Sequence, residues 1–394
     1  MKKPLKQQLL HAGLFLATFI TTTLAGSELA YSRSIFMYSD ETGWLYTWSD
    51  FLMGLNFSVP FMLFLTVHEF GHYFMAKRHN VRTSLPYYIP VPPGLILSIG
   101  TLGAVIRFRS KVYSTVQHFD IGLAGPLAGF IIALCALIYG FATLPPPEYI
   151  YSIHPEYEEY GLSYADHVYN DDYRRAKAKE LTGNEENLFP DIAFGNSILY
   201  NVVAKLVADP QRVPNPHELM HYPLLMAAFF GLLFTGLNLL PIGQLDGGHI
   251  IYGLFGRKGH SIIAITFLVA LIYYSGLGLV DLHDPSQGNQ WLWSIPAIGV
   301  YNYLALSSIG RSLRDTVMYA LLILATQLLA VWFFPGIHGY SGWMIFGLLV
   351  GRFLGVHHPA AELELPLNGN RQVLGWLALI IFVICFSPSP LQIT

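Results

Sequence analysis

The chain has 394 residues, of which 53% are apolar and 12% charged, with a net charge of −3. A soluble domain carries roughly twice that charged fraction, and the basic residues are scattered at the ends of apolar runs, so a soluble globular protein and a nucleic-acid binder are both excluded. Cys135 and Cys385 each lie inside an apolar run as small hydrophobes, which leaves neither a disulfide framework nor a thiolate metal site.

Eight apolar runs approach or exceed the roughly 18–20 residues that cross a bilayer core: 8–26, 50–75, 121–144, 224–240, 261–280, 316–334, 341–355 and 373–386. A ninth, 291–310, is interrupted by Pro296. The first follows Lys2, Lys3 and Lys6 and ends near Thr23-Leu24-Ala25, a poor cleavage site, so it reads as an uncleaved span. Basic residues beside spans mark the cytoplasmic side. Lys77, Arg78, Arg82, Arg107, Arg109 and Lys111 mark one inner segment, and Arg257, Lys258, Arg311, Arg314 and Arg371 mark later ones. Loop 27–48, with Glu28, Asp40 and Glu41, belongs outside, as do residues 281–290 and the polar insertion 145–221, with its thirteen acidic and six basic residues.

Between the second and third runs, residues 83–110 contain Pro86, Pro90, Pro92 and Pro93, which forbid a continuous helix, and residues 104–108 read as a strand. Irregular backbone at membrane depth is tolerated only where protein or a wet cavity satisfies it. The fold class is therefore an all-α polytopic membrane protein with eight or nine transmembrane helices, a short re-entrant β segment lining a cavity and one extramembrane insertion. Its parts are 1–49 (first span and outer loop), 50–144, 145–221 (the insertion, with a helix at 172–181 and too little apolar content for a core of its own), 222–256, and 257–394 as a C-terminal scaffold.

Residues 68–72 read His68-Glu69-Phe70-Gly71-His72 inside the second run. Histidines four apart share one helical face, so both imidazoles reach one Zn²⁺ with Glu69 beside them. Each ionisable group in a membrane helix costs at least about 2.5 kcal/mol at the centre, which makes an idle cluster implausible. Catalytic zinc usually takes three protein ligands. Asp246 is the best third donor: it closes another apolar run at the same expected depth, with Pro241, Gly243, Gly247 and Gly248 able to unwind the chain there. His249 is an alternative ligand or a supporting polar contact. A second His-Glu-x-x-His, His217-Glu218-Leu219-Met220-His221, lies in the polar insertion on the opposite side and reads as an interfacial segment.

The HEFGH run, GTLGAVIRFRS at 100–110, DIGLAGPLAG at 120–129 and LNLLPIGQLDGGH at 237–249 together resemble the site-2 protease family of intramembrane zinc metalloproteases. Within it the likeness is to the bacterial and plastid subgroup related to the ethylene-dependent gravitropism-deficient and yellow-green proteases, over about 50–256. The resemblance implies cleavage of a transmembrane protein substrate within the lipid bilayer, with zinc on His68, His72 and Asp246, Glu69 as base and Asn238 holding the substrate carbonyl. By residue chemistry alone Asn238 is a helix-packing amide. No PDZ domain stands between the third and fourth runs, unlike in some members of that family. The expected setting is a bacterial inner membrane, with the active site toward the cytoplasm. A metal-handling channel is the main rival, but its ionisable groups would be spread over several spans, whereas here they concentrate in two.

Overall fold

The computed structural model describes residues 5–31, 33–39, 43–94, 99–186, 191–280, 283 and 290–393; Lys2, Lys3, Asp40, Glu41 and most of loop 281–290 lie outside the described residues. The chain divides into two compact units, one of Met1–Ser110, Leu127–Gly236 and Val383–Thr394, the other of Lys111–Pro126 and Leu237–Phe382.

In the first unit α1 (Leu5–Tyr31) packs against α2 (Trp48–Arg78). The crossing is close because Gly54 has no Cβ: one there would lie 2.1 Å from the Thr23 carbonyl oxygen. A capping box starts α2, with the Thr47 N–H donating to Asp50 Oδ2 at 2.8 Å and the Asp50 N–H to Thr47 Oγ1 at 3.3 Å, and Lys77 and Arg78 complement the helix dipole at its end. Phe57 and Phe61 of α2 meet Phe230 of α7 (Pro223–Asn238) edge-on, at ring-centre distances of 6.3 and 6.2 Å. The C-terminal part of α3 (Thr115–Ala142) joins them, where Gly231 admits Ala133.

The region with the four prolines does form β structure, shifted toward the N-terminus from the expected 104–108. Besides the short hairpin of β1 (Tyr38–Ser39) and β2 (Gly43–Trp44), β3 (Tyr87–Pro90) pairs antiparallel with β4 (Thr101–Val105), Tyr88 opposite Ala104. Phe108 makes only an isolated bridge to Thr83. The hydroxyls of Thr66 and Tyr88, 2.8 Å apart, tie β3 to α2.

The insertion holds two 3-10 helices (Pro147–Ser152 and Pro155–Ser163), α4 (Ala165–Val168), α5 (Asp171–Thr182), β5 (Ile192–Phe194), α6 (Ile198–Val207) and a further 3-10 helix (Pro216–His221). The expected helix at 172–181 is α5, capped by Asn170 and ended by Gly183 at φ 74. Ile150, Tyr157 and Val168 form a small core flanked by Tyr151, Tyr160, Tyr164, Tyr169 and Tyr173, so tyrosine rings supply the apolar area that aliphatic content does not. β5 pairs with the C-terminal β6 (Leu391–Ile393).

The second unit contains α8 (Asp246–Gly276), α9 (Trp291–Ala305), α10 (Leu313–Phe333), α11 (Trp343–Leu348) continued by a π turn (Leu349–Leu354), and α12 (Gly369–Cys385). Gly256, at φ 66 and ψ −176, breaks α8 into two helices. Ile251, Leu268, Ile272, Ala305 and Val350 lie in its core. Arg371 Nε and an Nη hold the Asp120 carboxylate at 2.7 and 2.8 Å.

Helices occupy all nine predicted runs, and five (α1, α2, α3, α8 and α10) are long and apolar enough to cross a membrane among the described residues. At 1.5 Å per residue, the 16 residues of α7 and the 17 of α12 fall short of a core about 30 Å thick.

Candidate metal centre

Residues 68–72 lie deep in α2, and His68, Glu69 and His72 are 5, 7 and 7% exposed. One helical turn sets the two imidazoles over each other, with the two Nε2 atoms 3.1 Å apart and the ring planes at 75°. Two nitrogens each about 2.0–2.1 Å from a tetrahedral ion stand about 3.4 Å apart. The pair thus fits a zinc ion on its Nε2 side. Phe64 lies one turn before His68, with ring centres 6.1 Å apart, and Gly129 of α3 is close on another side.

Asn238 and Asp246 belong to the second unit. Asn238 is the last residue of α7, and Asp246 is the first of α8, so the carboxylate opens a helix instead of closing a span. The break covers residues 239–245: Gly243 takes φ +56 and donates its N–H to the Val356 carbonyl at 3.1 Å. Gly247 and Gly248, expected to unwind the chain, are helical. They serve close approach instead, since a Cβ on Gly247 would lie 2.0 Å from the Leu239 oxygen and one on Gly248 2.3 Å from the Gly243 oxygen.

Sequence reasoning missed two histidine clusters, because their members are far apart in the chain. In the second unit His249 donates from Nδ1 to His358 Nε2 at 2.7 Å, His118 stacks on His249 with ring centres 5.2 Å apart, and His358 donates from Nδ1 to the Pro359 carbonyl at 2.5 Å. In the first unit the competing motif does not present His217 and His221 together. His217 Nδ1 lies 2.7 Å from Asp191, while Glu218 and His221 gather with His154.

The model of peptidase family M50 matches residues 56–280. The chain is 26% identical over 293 residues to probable zinc metalloprotease EGY1, chloroplastic, of Arabidopsis thaliana, covering 73% of this chain and 44% of that protein. It is 29% identical over 218 residues to the Oryza sativa subsp. japonica protein of the same name (55% and 30%) and 28% identical over 206 residues to probable zinc metalloprotease EGY2, chloroplastic, of Arabidopsis thaliana (52% and 29%). The chain spans less than half the length of these relatives. No solved structure matches it. The relatives bear out the plastid side of the expected likeness, and their chloroplastic names leave the expected bacterial inner membrane without support.

Proposed function

The chain belongs to peptidase family M50, the zinc-dependent site-2 proteases, and from that premise we propose that it hydrolyses peptide bonds in or beside transmembrane segments of membrane-protein substrates. The observation that carries this reading is the buried imidazole pair, Nε2 to Nε2 3.1 Å, on a helix long enough to span a membrane.

In this reading His68, His72 and Asp246 hold the zinc. When bound, that ion lowers the pKa of a coordinated water and polarises the scissile carbonyl. Glu69, adjacent to His68 in the same helical turn, accepts the water proton and passes it to the leaving amine. The Asn238 amide donates to the carbonyl oxygen of the bond being cut. A substrate helix has its carbonyls hydrogen-bonded, so it must unwind first. β4 offers an outer edge on a two-stranded sheet, with Leu102 and Val105 exposed, and a strand-like substrate adds there as a third strand. The shorter apolar helices α7, α9 and α12 and the Trp343–Leu354 segment complete the eight or nine intramembrane helices. The insertion lies on the opposite side from Lys77 and Arg257.

The test uses the purified full chain reconstituted in lipid with single-span substrates. Cleavage should stop with a chelator, return with Zn²⁺ and disappear in Glu69→Gln. Zinc flux across the vesicles that persists in Glu69→Gln, with no hydrolysis by the wild type, would favour a channel and refute the proposal. Sidedness is checked by cysteines at Lys258 and Asn184, which should label from opposite faces of the vesicle. Labelling from one face would overturn that part.

A further inference from the structure

The run His217–His221 is not used in the reaction above, and its backbone explains why it does not act as a helical zinc motif. Pro216 opens it and Pro223 follows it, and the segment between is a 3-10 helix. In a 3-10 helix residues three apart eclipse, while residues four apart diverge by about 120°. Glu218 and His221 therefore share a face, and His217 turns away to Asp191.

That face meets His154, which sits between the first two 3-10 helices of the insertion. His154 Nε2 is 3.1 Å from His221 Nε2, His221 Nε2 is 3.3 Å from Glu218 Oε2, and His154 Nε2 is 3.6 Å from Glu218 Oε2. These are close to the edges of about 3.4 Å spanned by donors around a tetrahedral ion, and they match the 3.1 Å of the His68–His72 pair. Glu218 and His221 are each 3% exposed.

The proton positions argue for a cation. A carbonyl can only accept, so His221 donates its Nδ1–H to the Ala30 oxygen at 2.7 Å. A neutral imidazole that donates from Nδ1 carries its lone pair on Nε2. The Tyr169 hydroxyl donates to Glu218 Oε1, and Glu218 Oε2 has no hydrogen-bond partner among the described residues. Two lone pairs, on His221 Nε2 and Glu218 Oε2, thus face each other in a buried site. A buried carboxylate in that position needs a positive partner.

We propose that His154, Glu218 and His221 form a second zinc site, separate from the His68–His72 pair, which clamps the insertion to the end of α1 and the entry to α7. The Ala30 carbonyl fixes the His221 tautomer and Tyr169 orients the carboxylate, the outer contacts that metal ligands ordinarily carry.

The test measures zinc per chain by elemental analysis on full-length protein in detergent, stripped and then reloaded with Zn²⁺ alone. The double variant H68A/H72A isolates the second site and should retain one zinc per chain. Adding E218Q in that background should reduce zinc to background while H217N, at a side chain that pairs with Asp191 and stacks on Tyr169, leaves it in place. Chelator should open the insertion to limited proteolysis in H68A/H72A. The reciprocal variant H154A/H221A should keep one zinc if the HEFGH reading is right, so the two proposals fail separately. A monodisperse H68A/H72A chain that takes up no Zn²⁺, or one that keeps its zinc after E218Q, would overturn the second site. If H154A/H221A does not fold, the E218Q result alone decides.

Discussion

Gly129 of α3 lies directly against His68 of α2: a Cβ at position 129 would stand 3.1 Å from the His68 Cβ, 3.2 Å from its Nδ1 and 3.0 Å from Phe64 Cε2. The neighbours are a side chain that must keep its rotamer and a ring packed behind it, so neither yields freely. Gly129→Val should cost about 1–3 kcal/mol by overpacking and move the imidazole off its partner. Gly13→Ala is the control, since nothing lies within 4 Å of it. Zinc retention and thermal melting report both effects. A Gly129→Val chain with wild-type zinc content and melting temperature would contradict this packing.

A second prediction concerns the turn that presents Asp246. Gly247→Ala sets a methyl 2.0 Å from the Leu239 carbonyl oxygen, a backbone atom that cannot swing aside as a side chain would. The expected result is loss of at least about 3 kcal/mol, or no folded protein. Gly256→Ala differs: it has open space around it and only the strain of φ +66 with ψ −176, a region almost confined to glycine, worth about 1–3 kcal/mol. Melting temperatures of the two variants in detergent should separate clearly, and equal values would show that contact does not govern this position.

Legibility in the sequence followed the range of the interactions. The His68–His72 face was legible because helical period and membrane cost act over one turn of one helix. Asp246 is marked by its place at the end of an apolar run at the expected depth, whereas the close contact of Gly247 and Gly248 with residues 239–243 is a tertiary fact that no local pattern carries. The second His-Glu-x-x-His run reads as an interfacial segment, and sequence alone does not show which of its side chains share a face. Its flanking prolines hold it in a tighter helix that pairs Glu218 with His221, and His154, 64 positions before Glu218, carried no local signal. The strand lies three residues before the stretch that propensity favours, since propensity marks Val105 and Ile106 but not the register with Tyr87–Pro90.

The imidazole of His358, in the loop before α12, gives a pH signature. Burial lowers its pKa from 6.5 to about 4, against the opposing hydrogen bond to the Pro359 carbonyl and with a smaller push from His118. Protonating Nε2 would set an N–H against the N–H that His249 donates. Above pH 6.5 the folded and unfolded chains are both neutral at this residue, and its contribution is complete. Between pH 6.5 and about 4 the unfolded chain gains a proton that the folded chain refuses, so stability falls, by up to about 3 kcal/mol at the lower end. Melting temperature should drop from pH 7.5 to 5, and less so in His358→Asn. An equal drop in that variant would assign the effect to other groups.

The last prediction separates the two His-Glu-x-x-His runs by their first-principles roles. Glu69→Gln leaves both imidazoles of the α2 pair in place and substitutes a nearly isosteric amide, so zinc and fold should remain. Only the proton acceptor is lost, and the cleavage rate should fall by at least about two orders of magnitude, the scale of a positioned general base. His72→Ala should instead lose the zinc of that site together with activity. In the other run His217 would be indispensable if 217–221 were the catalytic helix, because it would be the first ligand. The structure turns it to Asp191, 2.7 Å away, and stacks it on Tyr169 with ring centres 4.1 Å apart. His217→Asn should therefore leave cleavage within a few-fold of wild type, with a modest loss of stability from the weakened Asp191 contact. Rates on one single-span substrate, measured beside zinc content for all three variants, decide the matter. If His217→Asn abolished cleavage while Glu69→Gln kept it, the catalytic centre would lie in the insertion and not on α2.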